Sequence, residues 1–260
     1  VALDRWRRRT GPRVRVWLAT LGEIEALASL GTFAYENPEY AWPEVSDGPP
    51  RFDATALGHP LIGKARRVAN DVTLGGDVPA LVVTGSNMSG KSTMLRSVGV
   101  STVLALAGAP VAARRLVMTP LAVRTSMRME DSLEQGVSHF YAELKRLKMV
   151  VDSANLGERV LFLLDEVLHG TNSRERQIGA KAVVKHLLEK GAVGAVSSHD
   201  LGLSALEAES DGRVRNVHFE DLVTDGTMSF DYKLKQGVVT TANALRLMKL
   251  VGIAVAMPDD

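Results

Sequence analysis

Apolar residues along this chain recur with two different periods. Leu18, Leu21, Ile24, Leu27 and Leu30 return every three or four positions, so the N-terminal stretch reads as a helix. Asn37-Pro38, Pro43 and the run from Ser46 to Pro50 then punctuate the chain and close that segment. From about Phe52 onward, short apolar runs alternate with helical patterns. Ala80–Thr84, Arg159–Glu166 and Gly191–His199 read as strands, while Thr93–Leu106 and the repeat Phe140, Leu144, Leu147, Val151 read as helices. Near the end, apolar and polar residues alternate on both sides of Asp225-Gly226, which predicts a β-hairpin. Strands and helices in alternation are the signature of an α/β fold with a largely parallel sheet covered on both faces. The expected organisation is a helical segment over residues 1–50 and one α/β domain over residues 51–260.

Composition narrows the function classes. With 260 residues and 45% apolar content the chain can bury a sizeable core. A formal net charge of +1 argues against a globally basic nucleic-acid binder, although Arg5, Arg7, Arg8, Arg9, Arg13 and Arg15 form a local cluster. That cluster reads either as a solvated charged end or as a contact for nucleic-acid phosphates. The absence of cysteine removes disulfides and thiolate metal sites and points to a reducing, cytoplasmic location. The longest uncharged run, Ser97–Ala113, is broken by Gly108 and Pro110. It falls short of the roughly 20 residues that span a bilayer, so it reads as a buried helix and no membrane segment is expected. The chain opens on Val1 rather than methionine, which points to a piece of a longer protein.

The chemistry begins after the strand Ala80–Thr84. Gly85-x-x-x-x-Gly90-Lys91-Ser92 has the spacing of a phosphate-binding loop. Glycines let backbone N–H groups turn inward around phosphates, the lysine reaches the β and γ oxygens, and the hydroxyl ligates Mg²⁺. The helix that follows turns its positive end toward the anion. The strand over Val160–Leu164 ends in Asp165-Glu166, where the first carboxylate can hold Mg²⁺ and the second can orient or deprotonate water. A water-activating acid suits an ATPase rather than a small-molecule kinase. Ser138 stands where an N-cap belongs, and it reads either as that cap or as an anion contact for a nucleotide on another subunit. Ser198-His199 ends the next strand, where His199 is either structural or a sensor of the γ-phosphate.

The stretches TGSNMSGKST, EQGVSHFYAEL, LLDEVLHGTNS, SSHDL and RNVHFED, in that order, resemble the ATPase domain of the MutS family of DNA mismatch-repair proteins. The similarity covers roughly residues 52–252, and the N-terminal helix is more loosely similar to the tail of the family's lever helices. The resemblance implies a P-loop NTPase fold of the ABC type, binding ATP and Mg²⁺. It places Asn87, Met88, Ser89, Gly90, Lys91, Ser92 and Thr93 around the phosphates, with Ser92 and Asp165 on Mg²⁺ and Glu166 activating water. Ser138 matches the signature serine that completes the opposite subunit's site, Gly170–Ser173 the loop along the dimer interface, and His199 the switch histidine. Val68 and His218 match positions near the adenine. The implied partners are a second copy, joined in an ATP-dependent homodimer with composite sites, and DNA, reached through segments outside this chain.

Four departures mark this chain. Ser89-Gly90 replaces Gly-Gly, His139 follows the signature serine in place of threonine, and His169 stands before Gly170 where arginine is usual. Arg67 and Val68 occupy the region where an aromatic often precedes the adenine contact. Two other functions share these motifs: a nucleotide-gated interaction module with slow hydrolysis, and another ABC-type DNA-repair or chromosome ATPase.

Overall fold

A computed structural model describes residues 1–127, 139–168, 170–224 and 227–239. Helix α1 spans Ala2–Glu36 and buries none of its residues. The predicted stripe is present, but Leu21, Ile24 and Leu27 all face outward, so the helix leads into the body without lying on it. Its anchor is the turn that follows. Phe33 meets Tyr40 edge-on, and Arg67 lies 4.9 Å over the Tyr40 ring.

Where one largely parallel sheet was expected, the body contains two. The first has strands β1 (Glu44–Val45), β2 (Arg51–Leu57), β3 (Asn70–Gly75) and β5 (Arg115–Met118), in the order β1-β5-β2-β3. Strand β2 pairs antiparallel with both β3 and β5, and β1, from upstream of residue 50, pairs parallel with β5 at the edge. The second sheet contains β4 (Ala80–Thr84), β6 (Ala122–Ser126), β7 (Val160–Asp165), β8 (Val193–Ser197), β9 (Val214–Thr224) and β10 (Thr227–Gln236). Its order is β10-β9-β4-β8-β7-β6, parallel from β9 through β6, with β10 antiparallel at one edge. Strands β9 and β10 pair as the expected hairpin, and the turn residues Asp225-Gly226 lie outside the described residues.

The uniform apolar runs of the central strands reflect burial on both faces. Along β4, Leu81 and Val83 enter one core with Phe52, Leu74, Leu95 and Val98, whereas Ala80 and Val82 enter another with Leu147, Val184 and Leu187. The first core lies between the two sheets and helix α2 (Lys91–Leu106), and the second lies under α3 (His139–Asn155) and α4 (Ser173–Glu189). Clamped from both sides, the C-terminal ends of β4, β7 and β8 present their loops at one edge, the usual place for a ligand crevice in such a sheet. Among the described residues, no helix is long and apolar enough to cross a membrane.

Candidate functional site

Three loops converge at those strand ends. The first follows β4 and runs into α2. Gly85 has φ +138° and Gly90, the N-cap of α2, has φ +117°, conformations that side chains rarely adopt. A Cβ on Gly85 would also meet the Phe219 carbonyl oxygen at 2.6 Å. Met88, with φ +68°, bends the loop between them and leaves its side chain exposed. No side chain caps α2, so its positive end is presented to the loop. Ser89 is buried, and its Oγ has no hydrogen-bond partner among the described residues.

Lys91 is folded back into this loop. Its Nζ donates to the carbonyl oxygens of Gly85 and Ser86, both at 2.8 Å, and lies 3.6 Å from Glu166 Oε1. Burial lowers the Lys91 pKa, outweighing the opposing pull of Glu166 and Asp165. Ser86 donates in turn to the Asp221 carboxylate on β9. Ser92 is partly buried in the first turn of α2, and Thr93 beside it is exposed.

The second loop follows β7. Asp165 is buried at the strand end and accepts a hydrogen bond from Ser197 Oγ. The Glu166 backbone N–H donates toward both the carbonyl and the hydroxyl oxygen of the same serine, at 3.2 and 3.1 Å. Ser197 therefore fixes the two acids relative to β8. Neither its identity nor its spacing singled it out in the sequence. Glu166 itself has φ +49°, and its Oε1 lies 3.5 Å from His199 Nδ1 on the third loop. The other ring nitrogen of His199 is 3.5 Å from Arg176 Nη1. Lys91, Glu166 and His199 thus form one row, with Arg176 added at its end.

At the start of α4, Asn172 accepts from the Glu175 N–H at 3.0 Å as an N-cap, and Gly170 packs on Phe140 of α3. Asp200 orders the third loop. Burial alone would raise its pKa, but hydrogen bonds from Gln177 and the Gly202 N–H, with the Arg176 charge, hold it below the ordinary value. Ser138 and His169 lie outside the described residues.

Beside the first loop opens a cleft of about 660 Å³, lined by His59, Ile62, Val68, Met88, Gly90, Thr93, Phe219 and Tyr232 among others. Its size suits a small organic ligand. Burial, aided by Arg96, lowers the His59 pKa and favours a neutral ring. Val68 is in this cleft, but His218 is not. Phe219 lines it from β9, and the pleat turns His218, one residue earlier, to the opposite face. There its Nδ1 lies 3.0 Å from the Gly237 carbonyl oxygen. Arg67 is turned away onto Tyr40 and Glu39.

The arrangement gathers a cation, an uncapped helix start and a carboxylate pair at the ends of the parallel strands of an α/β domain. The chain belongs to the MutS family: the family description "MutS domain V" matches residues 81–257. It is 34% identical over 238 residues to the DNA mismatch repair protein MutS of Aquifex pyrophilus, covering 90% of this chain and 27% of that protein. It is 32% identical over 223 residues to the DNA mismatch repair protein MSH6 of Arabidopsis thaliana, covering 80% and 17%. To the Endonuclease MutS2 of Thermomicrobium roseum it is 31% identical over 227 residues, covering 85% and 27%. The chain therefore spans about a quarter or less of the length of these relatives.

Proposed function

We propose that this chain is an ABC-type P-loop ATPase domain that binds ATP with Mg²⁺, pairs with a second copy and hydrolyses the nucleotide. In a longer MutS-like repair or recombination protein, that cycle moves the segments that engage DNA. The observation that carries the reading is Lys91, whose ammonium is held inside a glycine-bent loop at an uncapped helix start and within 3.6 Å of Glu166. The buried Ser89 hydroxyl without a partner fits a loop completed by phosphate oxygens, and the adjoining cleft fits the nucleoside.

Ser92 and the Asp165 carboxylate are the residues that would hold Mg²⁺, which when bound neutralises developing charge on the phosphates. Lys91 leaves its two carbonyl acceptors for the β and γ oxygens. Glu166, released from the lysine and steadied by Ser197 through its backbone, accepts the proton of the attacking water. His199, 3.5 Å from Glu166, orients that acid and faces the γ-phosphate.

Glu166→Gln tests the assignment. Positioned acid–base groups contribute on the order of 10²–10⁴ in rate, so turnover should fall at least about 100-fold while Mg-ATP binding persists. ATP-bound dimers should then accumulate in size-exclusion runs with ATP. Turnover within threefold of the parent chain removes Glu166 from the chemistry.

A further inference from the structure

The loop that carries Glu166 continues through a second strained position. Leu168 has φ +62°, and it is a buried branched residue rather than glycine, asparagine or aspartate. Such conformers persist only where surrounding structure over-determines them. Two contacts from the first turns of α3 do so here. The Leu168 N–H donates to Glu143 Oε1 at 2.5 Å, and Gly170 is packed so tightly on Phe140 that an added Cβ would lie 2.7 Å from the phenylalanine Cβ. Phe140 and Glu143 are three residues apart and so share one helix face. The other carboxylate oxygen, Glu143 Oε2, is buried with no hydrogen-bond partner among the described residues. A carboxylate kept in such a place for one backbone N–H is costly unless that N–H matters.

We infer that Glu143 is a positioning residue for the reaction: by holding Leu168 in its left-handed conformation it sets the orientation of Glu166 two residues earlier. The loop is then fixed at both ends, by Ser197 of β8 at the Glu166 N–H and by Glu143 of α3 at the Leu168 N–H. Displacement of the start of α3 reaches the acid through this bond. The element that begins beside Ser138 is thereby coupled to hydrolysis in its own subunit. The inference rests on the proposed role of Glu166.

Steady-state ATPase and Mg-ATP binding are measured on the full chain for Glu143→Ala, Glu143→Gln and Glu166→Gln, with folding checked by thermal melting. Glu143→Ala removes the acceptor and should lower kcat at least tenfold, with KM and nucleotide Kd within twofold of the parent chain. Glu143→Gln keeps a carbonyl oxygen at the Leu168 N–H and should retain kcat within threefold. Should Glu143→Ala not fold, Glu143→Asp takes its place; it keeps the charge, is one methylene too short for the bond and should lose kcat likewise. Parent-like kcat in the folded acceptor-loss variant, or equal loss of kcat and nucleotide affinity, overturns the inference. So does a Gln variant as slow as the Ala variant. If Glu166→Gln turns over normally, the proposed role of Glu166 on which the inference rests has failed; if it is inactive while Glu143→Ala is parent-like, only the positioning role has.

Discussion

Lys91→Met separates what the lysine does for the fold from what it does for a nucleotide. The substitution keeps an unbranched stem and removes the ammonium. In the free chain that ammonium makes two hydrogen bonds to carbonyl oxygens and faces Glu166. Each hydrogen bond to a charged group is worth about 1.5–3 kcal/mol. Against this stands burial of the charge, which is the largest influence on Lys91 and depresses its pKa. Because burial outweighs those contacts, the substitution should leave the unfolding free energy within about 1 kcal/mol of the parent chain. Binding is different. Two bonds to phosphate oxygens are worth about 3–6 kcal/mol gross, and surrendering the two carbonyl bonds returns part of that. A net loss of about 3 kcal/mol corresponds to roughly 150-fold weaker Mg-ATP binding. Isothermal titration with a non-hydrolysable ATP analogue, alongside chemical denaturation, measures both quantities. A folded Lys91→Met chain that binds within threefold of the parent refutes the assignment. The pH sign is also fixed. Because the folded pKa lies below 10.5, the parent chain should lose nucleotide affinity as pH rises through that folded value. Its unfolded state binds the proton more readily, so parent stability should rise with pH between the folded value and 10.5, and the variant should lack this dependence.

Ser89→Ala removes a buried hydroxyl that has no partner in the free chain, so its effect on melting should be neutral or stabilising by up to about 1–2 kcal/mol. The stabilisation conferred by Mg-ATP should shrink; a clearly destabilised apo protein would contradict this account of the loop. Glu209 accepts from Lys181 at 2.6 Å and Lys185 at 2.8 Å, which hold its pKa down at about 2. Its folded pKa is depressed, so its contribution should be present above about pH 4.5 and lost as pH falls toward 2. High salt should move a Glu209 carboxyl titration followed by NMR back toward 4.5, and an ordinary midpoint at low salt would dismiss the clamp.

Some features were legible because their signal is local. Strand β4 and helix α2 declare themselves by an apolar run, a glycine-spaced loop and a helical repeat; β4 falls on the expected Ala80–Thr84, and α2 starts at Lys91, ahead of the expected Thr93, and ends at the expected Leu106. The first sheet was not legible, since it depends on pairings such as Phe52 with Met118 whose partners lie far apart in sequence. Its strands are short, and their burial alternates with polar positions that a helix or loop carries equally well. At the site, Lys91, Glu166 and His199 come from motifs, but what holds them does not. Ser197, Glu143 and Arg176 belong to three different elements, and only the fold brings them to the Glu166 loop. The position of His218 could have been read from alternation alone: Val217 and Phe219 are both core residues, so the residue between them must face the other way.

The pairing of Lys91 with Glu166 also bears on how binding and chemistry are linked under the proposed function. The lysine that receives the phosphates is the one lying against the acid, and both side chains are buried. It cannot satisfy the Gly85 and Ser86 carbonyls, Glu166 and two phosphate oxygens together, because an ammonium has three donors. Trading the two carbonyls for two phosphate oxygens still leaves one donor for Glu166, so release of the acid comes from movement of the ammonium toward the anion rather than from hydrogen-bond count. His199 on one side and, through the backbone, Ser197 and Glu143 on the other continue to hold the acid. An acid that has its own nucleotide-binding cation among its resting partners loses that contact when the cation is taken. The strained backbone at Glu166 and Leu168 then keeps it from following the lysine toward the phosphates, where two like charges would meet.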